Sequence, residues 1–293
     1  MTTRTEIINS LQSVPPVPVV AIKLAKLLGN PEISVGKLIE AIKYDPGLTA
    51  KAIKMANSAS FTSLEPVVSL KDALVRLGNQ QVLQLVVATS LRPNLDKPVE
   101  GYCLDSGDLW KHCVAVGVAA EKIESQLGGS NLDLAFTLGL LHDIGKLAIG
   151  SFIDNNMKLM AREIDNDQQS FMDAEEKVLG MSHTEAGALL LEQWGFPEEF
   201  IAAARWHHQP DQAESHQELA DLVHLADAVA MMMGMGLGND GLSYVLSPGA
   251  LKRLGLKTSG LETLESQTIE LFEEIMQMFN QQGKENGIQH PDS

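Results

Sequence analysis

Cysteine is close to absent: the chain carries only Cys103 and Cys113, and no CxxC pair. This rules out a disulfide framework and reads as a reducing, cytoplasmic setting. Aromatic residues are scarce at 5%, while Leu, Ala, Val and Met are plentiful, a mix that favours packed helices over a β-sandwich. Basic residues are few, 22 against 38 acidic ones, for a formal net charge of −16. So acidic a chain is a poor partner for the phosphates of nucleic acid and for anionic membranes. No apolar run reaches the roughly 20 residues of a membrane span. The start, MTTRTEIINS, has no apolar signal-peptide core. Internal repeats and strand-like alternation are missing too.

What is there is helical periodicity, nearly throughout. A helix after SVPPVPVV is expected to stop at the GNP turn of residues 29–31, and a second to run from Ser34 to Tyr44. DPGLTAKAIKMANSASF opens with an Asp-Pro helix entry and should end its helix near Asn57–Ser58. Helices from Ser69 to Leu77 and on to Leu91 flank an LGN break, and residues 92–103 read as a linker. Residues 1–100 therefore form an N-terminal helical part, which in the bland reading is a packing module without chemistry.

Residues 101–235 follow as a helical core. It comprises a long helix from Asp105 to Gln126, an almost wholly apolar helix from Leu132 to Ile149, and a helix with its turn from Phe152 to Gln169. MDAEEKVLG reads as a charged helix. SHTEAGALLLEQWGFP is a helix capped by Ser182 with Glu185 at N3, PEEFIAAARWHHQ the next, and ELADLVHLADAVAMMM the last. Residues 236–280 hold a short helix at Pro248–Leu254 and an amphipathic one at Leu261–Phe279, and 281–293 read as a disordered tail.

Within this pattern, LLHDIGK places His142, Asp143 and Lys146 in an apolar run. An imidazole and a carboxylate are costly to bury unless paired or bound to a metal. On one helix, neighbours 142 and 143 diverge by about 100°, so they cannot chelate one ion as a fork, but Asp143 can reach between two. Lys146, one turn on from His142, is placed to meet an anion beside such ions. His112 lies on an apolar helix, His183 at a helix start, His207 and His208 at a helix end, and Asp227 in the apolar LVHLADAVA. Each alone has an ordinary structural reading, and His224 reads as a structural hydrogen-bonding residue rather than a ligand. Together, His112, His142, Asp143, His183, His207, His208 and Asp227 are seven ligand-type residues on five expected helices. One polynuclear site accounts for them best, and imidazole with carboxylate suits Fe, Mn or Zn.

LLHDIGK, with His112 upstream and the Asp227 of LADA downstream, resembles the HD superfamily of metal-dependent phosphohydrolases. PPVP, IKYDPGLTAKAIKMANSASF and SLKDALVRLG resemble, more narrowly, the HDOD family of bacterial signalling proteins, over residues 10–230. The resemblance implies an all-α fold, an HD-like helical bundle with an N-terminal HDOD subdomain. Many HDOD proteins have lost the HD ligands, whereas the ligand order here, with His183 and the His207–His208 pair, is similar to that of the HD-GYP proteins. Those hydrolyse cyclic di-GMP at a two- or three-metal centre, often iron. Their Gly-Tyr-Pro loop is missing from HHQPDQAESHQEL, so the resemblance does not carry cyclic di-GMP over as substrate.

The expectation is then two or three divalent ions, iron first and Mn or Zn as alternatives. Asp143 would bridge, His112, His142 and Asp227 would serve one ion, and His183, His207 and His208 the other. Asp143 and Lys146 would carry a phosphohydrolase or phosphodiesterase reaction on a phosphate ester or nucleotide. The alternative is a non-catalytic output module that binds a signalling partner, its metal structural or sensory. A third reading is oxidation of a phosphonate or inositol-like substrate at a di-iron centre.

Overall fold

A computed structural model describes residues 3–26, 42, 46–57, 66–167, 170–236, 238–240 and 244–285. Among them are thirteen α-helices and no strand beyond one isolated bridge, Val99 to Leu104. The helices are α1 Thr3–Leu11, α2 Val19–Ala25, α3 Pro46–Ala56, α4 Leu70–Leu95, α5 Asp108–Gln126, α6 Leu132–Leu141 and α7 Lys146–Asp167. They continue as α8 Phe171–Leu179, α9 His183–Gln193, α10 Glu198–Trp206, α11 Gln217–Met232, α12 Pro248–Arg253 and α13 Thr258–Glu285. The fold is all-α, as the composition and periodicity imply. The expected helix Ser34–Tyr44 lies outside the described residues, except for the buried, helical Ile42.

Helix α5 is the axis. It packs against α6, α11 and α13, and its residues from Leu109 through Ala120 are all buried except Lys111. The N-terminal helices join through α4 on α6 and through α1 on α7 and α9, where Arg4 donates to the Glu185 carboxylate at 2.5 and 2.8 Å. Ser182 caps α9 by accepting from the Glu185 N–H, but the Glu185 side chain is drawn off to Arg4. One continuous apolar cluster runs from Ile7 to Phe272.

Three expected boundaries change. The break at LGN is real: Gly78 is extended with φ 81°, a left-handed value that favours glycine, but the second part of α4 continues through Pro93 to Leu95. The stretch read as a linker ends in a 3-10 turn, Glu100–Tyr102, packed on α7 with Tyr102 fully buried. The tail begins later than expected, since α13 runs to Glu285; residues 286–293 lie outside the described set.

The most consequential change is in the apolar run. Residues 132–149 are not one helix: α6 ends at Leu141 and α7 starts at Lys146. Between them the chain tightens, with i→i−3 hydrogen bonds such as Ile144 to Leu141 and Lys146 to Asp143. Gly145 lies against the first turn of α9, where a Cβ would overlap the His183 carbonyl oxygen. That contact fixes the turn and with it the direction of Asp143. Together, 132–164 are long and apolar enough to cross a membrane by length and composition, yet 83% of their apolar 18-residue window is buried inside the fold.

Candidate metal centre

The turn between α6 and α7 carries Asp143 into the middle of the bundle, where its carboxylate faces two groups of imidazoles. Oδ2 lies 3.3 Å from His142 Nε2 and 3.4 Å from His112 Nε2. Oδ1 lies 3.5 Å from His183 Nε2 and 3.7 Å from His207 Nε2. Asp227, from α11, completes the first group, 3.2 Å from His112 Nε2. His208 completes the second, its Nε2 3.1 Å from that of His183. His112, His142 and Asp227 thus form one set able to hold a metal ion, His183, His207 and His208 another, and His142, Asp143 and His207 a third between them. The ligand atoms within each set lie within 4.8 Å of one another.

Four rings are oriented from behind. Nδ1–H of His112 donates to the Met235 carbonyl at 3.0 Å, that of His142 to Gly139 at 2.7 Å, and that of His207 to Ala204 at 2.9 Å. The Nδ1–H of His183 donates to the Glu175 carboxylate at 2.8 Å. Each ring therefore turns its Nε2 inward, the orientation a metal-bound histidine needs. Buried at the centre, His142 Nε2, His207 Nε2, Asp143 Oδ1 and Asp227 Oδ1 have no hydrogen-bond partner. Such orphans are rare in native interiors, and an ion bound among them would satisfy them.

The electrostatics agree. Burial alone would lower His112, but contacts to Asp143 and Asp227 overcome it and raise the imidazole to about 10. Burial likewise opposes charge on Asp143, yet His142 and Lys146 hold it well below the carboxylate range. Positive charge is thus favoured beside these carboxylates. In the second set, burial and then neighbouring imidazoles push His207 far down and His208 down to about 3, so both keep free lone pairs.

Lys146 reaches Asp143 Oδ2 at 2.6 Å and Asp240 Oδ2 at 2.5 Å, with its ammonium 5.2 Å from the Tyr102 ring centroid. Burial opposes the charge, but the two carboxylates raise the lysine above its ordinary value. The expectation that Lys146 shares a helix face with His142 one turn back is replaced: the intervening turn pairs it with Asp143 instead.

Every expected ligand-type residue converges here. His224 keeps its structural role, donating from Nδ1 to the His207 carbonyl at 2.6 Å and accepting the Ser247 N–H at 2.8 Å. Asp221 is engaged elsewhere, by Arg253 through two 2.7 Å hydrogen bonds. The sequence reasoning missed Tyr102, Glu175, Asp240 and Tyr244. Glu175 is fully buried, binds the His183 N–H and ring, and accepts from Tyr102 Oη at 2.5 Å. Its signal was present: it stands four residues from both Phe171 and Leu179, on the apolar face of a helix read as merely charged.

A helical bundle around a His/Asp cluster defines the class. The HDOD domain family matches residues 14–210, and the chain belongs to that family. Among solved structures, a Shewanella amazonensis protein whose name proposes a phosphohydrolase is 25% identical, with a TM-score of 0.68 and coverage of 94% of this chain and 97% of that one. A Marinobacter aquaeolei protein whose name proposes a role in signal transduction is 24% identical, with a TM-score of 0.71 over 94% of this chain and 64% of that one. Ribonuclease Y of Thermus thermophilus is 31% identical over 153 residues, 52% of this chain and 21% of the ribonuclease. The chain spans less than half the length of the curated relatives it matches.

Proposed function

We propose that this chain is a cytoplasmic regulatory HDOD protein whose centre holds two divalent metal ions and hydrolyses a phosphate ester. Iron is the first choice of metal, with manganese or zinc as alternatives, because the donors are imidazole nitrogens and carboxylate oxygens. The observation that carries the reading is the pair of inward, partnerless Nε2 atoms of His142 and His207, whose rings are already hydrogen-bonded through Nδ1, beside the partnerless carboxylate oxygens of Asp143 and Asp227.

His112, His142 and Asp227 would hold one ion, His183, His207 and His208 the other, and Asp143 would serve both through its two oxygens. Bound there, the pair supplies Lewis acidity to a phosphoryl oxygen and lowers the pKa of water. Lys146, a fixed ammonium beside Asp143, stabilises negative charge developing on the phosphoryl group. The names of the Shewanella protein and of ribonuclease Y support hydrolysis of a phosphorus–oxygen bond. The net charge of −16 favours a small ester or nucleotide over RNA.

The near-complete burial of the cluster favours a second reading, in which the metal is structural or sensory and the N-terminal helices engage a signalling protein.

Elemental analysis of protein purified without chelator decides between them when combined with phosphate release from an aryl phosphate. Two equivalents of metal with turnover support the hydrolase. Two equivalents without turnover select the sensor, and none after anaerobic reconstitution defeats both. Asp143→Ala should lose metal and hydrolysis while its helical circular dichroism stays. Lys146→Ala should keep metal and lose about 10²-fold or more in turnover.

A further inference from the structure

The cluster meets a surface cleft of about 220 Å³ lined by Phe171, Asp173, Gln209, Asp240, Tyr244 and Val245, and also by His183 and His208 of the second ligand set, which define its inner end. This is below the roughly 300–1,000 Å³ of pockets that take drug-sized ligands. Two lining residues are carboxylates, and among the described residues no lysine or arginine lines the cleft. The nearby cation, Lys146, is already shared between Asp143 and Asp240. Asp240 has capacity left: Oδ2 holds Lys146, while Oδ1 is buried without a hydrogen-bond partner.

The cleft is therefore divided in sign. Its inner end would bind one phosphoryl group at the metals, a condition that rests on the function proposed above. Its walls repel any second negative charge and have a spare acceptor for a donor or cation.

We infer that the substrate is a small phosphomonoester whose alcohol portion is neutral or cationic, and that Asp240 determines this preference. A cyclic dinucleotide or a polyphosphate brings too much volume and a second anion to walls without a counter-charge. In the reaction, the oxygen of water forms the new bond to phosphorus and the phosphorus–oxygen bond to the alcohol breaks. The departing alkoxide takes one proton from that water, which leaves the alcohol and inorganic phosphate.

The test uses the full chain reconstituted with manganese and three esters of similar size: phosphoethanolamine, glycerol phosphate and phosphoglycerate. Dissociation constants come from calorimetry and turnover from phosphate release. The expected order is phosphoethanolamine, glycerol phosphate, phosphoglycerate, each step about tenfold weaker. Asp240→Asn should keep the metal content and compress the whole spread to about threefold, and Asp240→Glu should restore it. Val245 is 76% exposed at the rim, so Val245→Lys should fold normally and selectively improve phosphoglycerate.

Equal affinities in the wild type, failure to bind any of the three, or an undiminished spread in Asp240→Asn would overturn the inference. Ordered binding without phosphate release would uphold the ligand preference set by Asp240 and defeat the hydrolase reading. Aryl phosphate turnover without discrimination would do the reverse.

Discussion

Glu175 shows how much a single side chain can decide behind a metal ligand. Its two oxygens receive the His183 backbone N–H and ring N–H, both at 2.8 Å, and the Tyr102 hydroxyl. A carboxylate in this position fixes the ring and raises its basicity. Burial opposes charge on His183, and Glu175 more than compensates, lifting the imidazole above its ordinary range. Glu175→Gln keeps the shape but gives up the charge. We expect it to weaken binding at the His183, His207 and His208 set by about 10- to 100-fold, with little change at the other set. Competition with a graded metal chelator should resolve one weakened and one unaltered equivalent. A uniform loss of both would show that Glu175 serves the fold rather than the ligand.

At the scale of elements, the turn between α6 and α7 matters most. The run LLHDIGKLAI has helical periodicity, and nothing in its composition ends a helix except Gly145 and the polar pair before it. The break comes from α9, whose first turn approaches so closely that only glycine fits at 145. Gly145→Ala suits a helix intrinsically, by up to about 1 kcal/mol, yet it must push against backbone, which costs about 1–3 kcal/mol or more. The clash wins. Chemical denaturation should show lower stability, and metal content should fall with it because Asp143 loses its aim. A stabilised Gly145→Ala protein would mean that the turn is set by sequence alone.

Across the whole molecule, buried histidines couple stability to pH. Burial holds His224 below the ordinary imidazole value of about 6.5, between the His207 carbonyl and the Ser247 N–H. A base lowered in the folded state binds its proton first in the unfolded chain. Its contribution is complete above about pH 6.5 and diminishes as pH falls toward the folded value. For chelator-treated protein, the stability gap between wild type and His224→Gln should therefore be wider at pH 7.5 than at pH 5.5 in urea unfolding. A gap that grows on acidification would mean that His224 is held protonated.

The all-helical class, most helix starts and the seven ligand-type residues were legible because each is a local property. They show as 3.6-residue periodicity, caps such as Ser182, or a polar group in an apolar run such as Asp143 or Asp227. The role of His224 was legible for the same reason. Tertiary structure alone decided the turn at Gly145, the pairing of Lys146 with Asp143 and Asp240, and the engagement of Asp221 by Arg253. It also placed Glu175 and Tyr102 behind His183. These depend on close approach between segments as far apart as 94 residues, Lys146 to Asp240 being one case. A helix's own periodicity records which face is buried, but not what will be buried against it.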